Sequence, residues 1–170
     1  MRRTGFSMNQ VLFPTRFLRA SFLTLLVALA GTGEALSQDE KKNEFAVFLG
    51  ATTLFADEGD ETSFTLGADY SRDLGRFFNV GGLVDADFAR EREILLAPFV
   101  DLKATDQASI RVGAGISFVE DSSDQLFVAR FGFSYKFEFS KISLIPAIFV
   151  DLNEKSEVQL IYGLSFGFPF

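Results

Sequence analysis

Two carboxylates, Asp85 and Asp87, stand two positions apart in "LVDADF". Such a pair could serve as general acid and base, and on an extended strand both would point the same way. The partners that this chemistry usually enlists are missing. The chain contains no His and no Cys, so the common nucleophile–base pairs cannot be assembled, nor can imidazole or thiolate metal sites. The stretch "ADEGDE" offers Asp57, Glu58, Asp60 and Glu61 as oxygen ligands for Ca²⁺. It lacks the alternating spacing of an EF-hand loop and reads as a solvated acidic loop. Arg90 and Arg92 in "AREREI" are placed to touch phosphate groups. No catalytic residue, cofactor or metal site is assigned, and the chain is not expected to be an enzyme.

A larger charged set remains. Asp69, Asp85, Asp87, Asp101 and Asp151, with Lys103, Arg111, Arg130 and Lys136, each fall within an apolar run. The period of those runs says what they are. Phe64, Leu66, Ala68 and Tyr70 alternate with Thr65, Gly67, Asp69 and Ser71. Phe127, Ala129, Phe131, Phe133 and Tyr135 share one parity, while Arg130, Gly132, Ser134 and Lys136 share the other. A period of two is that of a strand with one apolar face. Eight segments of this kind are predicted, near 45–55, 62–73, 77–88, 94–103, 108–119, 126–137, 142–152 and 158–170. Each has about the length that a tilted strand needs to cross a hydrocarbon layer, and no segment reads as a helix.

Three of the eight, the first, fourth and seventh, are apolar on both faces. Their register rests on Asp101, Lys103 and Asp151 pointing away from the apolar side. Pro98 and Pro146 count against the fourth and seventh, because proline removes a ladder donor and usually marks an edge or a bulge. The connectors "ADEGDE", "ARERE", "EDSSDQ" and "NEKSE" alternate with the shorter "LGR", "ATDQ" and "EFSK". Long alternating with short predicts an up-and-down meander with two unlike ends.

The first 37 residues read as a secretory signal peptide. Arg2, Arg3, Arg16 and Arg19 precede the apolar run "ASFLTLLVALA", and Ala35 and Ser37 supply small side chains for cleavage after Ser37. Cleavage after Ala30 is the alternative, and the long basic region makes Met8 an alternative start. The apolar run is too short for a membrane-spanning helix. Residues 38–170 are then expected to form one domain. The full chain holds 16 basic and 23 acidic side chains; removing four arginines and Glu34 leaves a net charge of −10, which disfavours nucleic acid as a partner. Without cysteine, an exported domain must be held by burial or by a membrane.

Which face is buried is a matter of volume. Large apolar side chains, drawn from 22 Phe in the chain, dominate one face of every predicted strand. The lumen of an eight-stranded barrel is only just wide enough for side chains to fill, so that face belongs outside, against lipid. The opposite face carries Gly81, Gly113, Gly115, Gly132, Ser134, Gly163 and Ser165 with the nine charged residues named above. Charges in a narrow lumen must be paired, which predicts an internal salt-bridge network plugging the barrel.

The segment "YGLSFGFPF" ends the chain with Tyr162, Phe166, Phe168 and Phe170 on one face. It resembles the C-terminal signal read by the outer-membrane barrel assembly machinery. With eight strands before and within it, the chain resembles the small eight-stranded outer-membrane barrels of Gram-negative bacteria, of the OmpA transmembrane-domain and OmpX type. It is expected to depart from full-length OmpA-type proteins in having no periplasmic peptidoglycan-binding domain, and from the OmpX type in lacking long protruding strands. The resemblance implies an all-β, eight-stranded antiparallel up-and-down barrel in the cell outer membrane. It implies outer-membrane lipids, lipopolysaccharide and the assembly machinery as partners. Enzymes among membrane barrels use a histidine, which this chain lacks. The expected function is non-enzymatic, in envelope integrity or surface interaction; the alternatives are a narrow channel for small solutes or ions and a soluble lipocalin-like carrier.

Overall fold

A computed structural model describes residues 43–55, 59–89, 92–120, 125–155 and 157–170. The signal-peptide reading, Asp57, Glu58 and Arg90 lie outside these residues. Nine strand stretches follow one another: β1 (Asn43–Phe55), β2 (Glu61–Asp73), β3 (Phe78–Asp87), β4 (Glu93–Lys103), β5 (Ala108–Val119), β6 (Gln125–Tyr135), β7 (Phe137–Phe139), β8 (Ile142–Asn153) and β9 (Val158–Pro169). Each pairs antiparallel with its neighbour in sequence, β6 and β7 sharing β8 as partner, and β9 returns to pair with β1. The result is a closed, up-and-down barrel of eight walls, β6 and β7 being two stretches of one wall. Its β1–β9 seam runs from Glu44 opposite Pro169 to Phe55 opposite Val158.

The two prolines act on the ladder without shifting it. Between β4 and β5 the pairing stops after Leu96 opposite Ile116 and resumes at Phe99 opposite Gly113, in the same register. Between β8 and its wall it stops after Ser134 opposite Ala147 and resumes at Phe137 opposite Leu144. Pro146 has no N–H to give across that gap, which is why β6 and β7 part at Lys136. On the other side the β5–β6 register continues, the Lys136 N–H donating to the Gln107 carbonyl at 2.7 Å. Neither an edge nor a bulge results, against the sequence-based expectation for proline.

Connections 74–77, 104–107 and 140–141 gather at the end that carries Asn43 and Phe170, here the turn end; Phe55, Glu61, Asp87, Glu93, Val119, Gln125, Asn153 and Val158, the strand termini at the opposite end, mark the loop end. Side chains sort strictly by parity between them. Outward positions include Leu49, Leu66, Val84, Leu96, Val112, Ile148 and Leu164 around the middle, all exposed. Aromatic side chains crowd both rims: Phe45, Tyr70, Phe78, Phe137 and Phe168 at the turn end, Phe55, Phe64, Phe88, Phe118 and Phe127 at the loop end.

Inside, the face is not uniformly small. Phe48, Phe99 and Phe149 are buried in the lumen with Leu83, Leu95, Val128 and Ile161. They fit because glycine stands beside them. Phe149 lies opposite Gly132, and Phe99 lies between Gly81 and Gly113. A Cβ on Gly132 would run into the Phe149 ring and come within 2.5 Å of the Ile148 carbonyl; one on Gly81 would lie 2.5 Å from the Phe99 ring. Overpacking of this kind costs about 1–3 kcal/mol. Gly132→Ala is therefore expected to lower the urea midpoint of unfolding by that order, and Phe149→Leu in the same chain to recover part of the loss. An unchanged midpoint for Gly132→Ala would show that the lumen has slack.

Candidate functional site

Eight of the nine charged residues picked out in the sequence lie at inward strand positions and Lys136 lies between β6 and β7, but they form separate groups rather than one network. Two groups share a design. Arg111 on β5 faces Asp101 on β4 in register and grips it with two hydrogen bonds, Nε to Oδ1 at 2.7 Å and Nη2 to Oδ2 at 3.1 Å. Its remaining nitrogen reaches across the lumen to Asp69 on β2 at 3.4 Å. Arg130 on β6 faces Asp151 on β8 and grips it likewise at 2.7 and 2.8 Å. Its Nη1 crosses to Asp85 on β3. Each arginine thus holds the carboxylate beside it and one from the far wall.

Both guanidinium groups lean on aromatic rings. Arg111 lies 3.6 Å above the centre of Phe99 and 5.6 Å from that of Phe149, and Arg130 lies 5.3 Å from Phe149. Phe48 meets Phe149 edge-on with ring centres 6.2 Å apart. Planar guanidinium suits this setting, since it can hold carboxylates in its plane while its face rests on a ring. Arg130, Asp101, Asp151 and Asp85 are all buried. Side chains from different walls meet here in the lumen.

The other charged residues stand nearer the ends. Asp87 accepts a hydrogen bond from the Ser63 hydroxyl near the loop end. Lys103 binds Asp73 at 2.6 Å and the Gly75 carbonyl at 3.0 Å. Lys136 pairs with Glu44 at 2.5 Å and with Glu138 at 3.2 Å. Asp73, Glu44, Glu138 and Glu93, the last accepting from Ser117 and from Gln159, were not singled out in the sequence; the parity of Asp69 and Asp101 on the same walls would have found Asp73 and Glu93. A cavity of about 570 Å³ opens at the turn end and reaches inward to Arg111 and Phe149, with Ser71, Asn79, Lys103 and Lys136 on its wall. Asn79 Oδ1 is the only buried side-chain polar atom without a partner among the described residues. No cluster of metal-binding side chains occurs among the described residues.

Tyr162, Leu164, Phe166, Phe168 and Phe170 share the outward face and are exposed, Phe170 most of all at 61%. The Phe170 N–H donates to the Asn43 carbonyl at 2.8 Å and the reciprocal bond measures 3.1 Å, so the tail is held in the seam.

No family model matches the sequence, and no curated protein does. Solved structures do match by shape. Ail, the attachment invasion locus protein of Yersinia pestis, superposes with a TM-score of 0.58 at 8% identity over 78% of this chain and 100% of its own. Neisserial surface protein A gives 0.53 at 8% over 79% and 100%. The outer membrane enzyme PagL gives 0.50 at 16% over 75% and 99%. The fold is that of the small eight-stranded outer-membrane barrels.

Removing one partner from a buried ion pair typically costs about 3–5 kcal/mol, because the other charge is left unpaired. Arg130→Ala is expected to lose that much stability in urea unfolding, and Arg130→Met combined with Asp85→Asn and Asp151→Asn to recover most of it. Equal losses in the single and triple variants would mean that packing volume, not charge pairing, is what Arg130 supplies.

Proposed function

We propose that this chain is an integral outer-membrane β-barrel whose lumen is closed by side chains, and that it serves envelope integrity or surface interaction without catalysing a reaction. One observation carries the reading: the wall is apolar on the outside and charged on the inside. From Phe45 to Phe55 the outward side chains of β1 are Phe, Val, Leu, Ala, Thr and Phe. Ten steps of about 3.3 Å each, tilted by about 40°, span about 25 Å, the height of an outer-membrane apolar band. The two aromatic rims fall where such barrels carry their girdles. A lipocalin-like carrier needs the opposite arrangement, with its apolar face toward the ligand.

The two arginine groups support a closed lumen over a conducting one. The turn-end cavity favours the narrow-channel alternative, since it reaches inward as far as Arg111 and Phe149. The absence of His and Cys supports a non-enzymatic role, although PagL, of the same fold, is an enzyme. Partners on this reading are outer-membrane lipids, lipopolysaccharide and the barrel assembly machinery, the last through the outward tail of Tyr162, Phe166, Phe168 and Phe170. Expression in a Gram-negative host tests it. The protein is expected in the outer-membrane fraction, migrating differently on gels before and after boiling, and planar bilayers containing it are expected to show no steady porin-sized conductance. Recovery as a soluble periplasmic protein would refute the placement; large, steady current steps would refute the closed lumen.

A further inference from the structure

The connection between β2 and β3 is built unlike a solvated turn. It reads Leu74, Gly75, Arg76, Phe77, and Phe77 is the most exposed large apolar side chain among the described residues, at 67%, with Leu74 at 44%. Slack does not explain the exposure. The Leu74 N–H donates to the Phe78 carbonyl at 3.2 Å, and the Lys103 N–H to the Phe77 carbonyl at 2.8 Å. The Gly75 N–H donates to Asp73 at 2.7 Å, and Lys103 Nζ holds both Asp73 and the Gly75 carbonyl. Gly75 has φ of +117°, which glycine tolerates. The lysine thus pins the turn from the lumen side and leaves two apolar side chains projecting.

Charge is divided along the same line. At this end Asp73, Glu44 and Glu138 are each paired with Lys103 or Lys136. Arg76 lies over the Phe77 ring, 5.8 Å from its centre. Exposed Tyr70 and Phe78 continue the apolar surface directly from the turn into the barrel wall. At the loop end Arg92 is paired with Glu120.

We propose that the β2–β3 turn is an anchor for an anionic phospholipid, Arg76 taking the headgroup phosphate while Leu74 and Phe77 sit at the level of the glycerol and upper acyl chains. The inference rests on the membrane reading above and adds to it a lipid class and a place. A basic side chain near an anionic lipid surface favours binding about fivefold, and aromatic side chains are suited to the interfacial depth.

The test uses the protein refolded into bilayers of phosphatidylcholine alone and of phosphatidylcholine with phosphatidylglycerol, extracted gently, with retained lipids counted by native mass spectrometry. Wild type is expected to retain phosphatidylglycerol over phosphatidylcholine by about fivefold; R76Q is expected to lose the preference, while R76K and the loop-end control K155Q keep it. Equal retention of both lipids by wild type would overturn the anchor, as would a preference that survives R76Q or disappears in K155Q. Release of the lipid by inorganic phosphate alone would also overturn it, in favour of a bare phosphate site. Failure of wild type to insert into either bilayer would instead refute the membrane reading on which the anchor rests.

Discussion

Hydrocarbon offers nothing to a backbone N–H or C=O, so a wall of strands can face it only if every such group finds a partner within the wall. The β1–β9 seam is what makes that possible here. Twelve residue pairs join the first strand to the last, and with them the sheet has no edge. Closure fixes everything downstream: it separates an inside from an outside, holds eight walls at a small radius, and makes the parity of each residue a statement about its surroundings. The gaps at Pro98 and Pro146 are tolerable because they remove single bonds without moving the register.

A small radius creates a shortage of room, and the lumen is a record of how it is met. Three phenylalanines and two arginines occupy the middle, and Gly81, Gly113 and Gly132 stand beside the rings. The arginines then need counter-charges in a region with little water. Each has one in register on the adjacent strand and one from across the barrel. Two hydrogen bonds to the nearer carboxylate fix the plane of the guanidinium and leave its face free for an aromatic ring. The pairs offset the cost of burying charge, and they tie β2 to β5 and β3 to β6 through the interior, in addition to the ladder.

Much of this was legible in the sequence because period two is a direct image of the sheet. Strand number, the approximate ends of each strand and the outward tail from Tyr162 to Phe170 could be read from it. In-register pairs were within reach as well, since Asp101 and Arg111 are equidistant from a short turn. The partners across the lumen were not, because Asp69 and Asp85 meet arginines only after closure and stagger are set. Phe48, Phe99 and Phe149 escaped notice for another reason. They lie on strands that are apolar on both faces, where hydrophobicity carries no parity, and only counting back from Asp101 and Asp151 would have turned Phe99 and Phe149 inward. The likeness to Ail at 8% identity fits the same logic: a barrel of this size constrains parity and small residues, and leaves identities largely open.

The inside-out arrangement is tested most directly on β4, where the sequence alternates least. The chain has no cysteine, so single cysteines can be placed at Ile94, Leu95, Leu96 and Ala97 and the refolded protein, in lipid vesicles, treated with a maleimide that partitions into hydrocarbon. Ile94 and Leu96 are exposed on the outer wall, whereas Leu95 and Ala97 are buried in the lumen. Labelling at 94 and 96 with protection at 95 and 97 is the predicted result. The opposite phase, or equal labelling at all four, would contradict it.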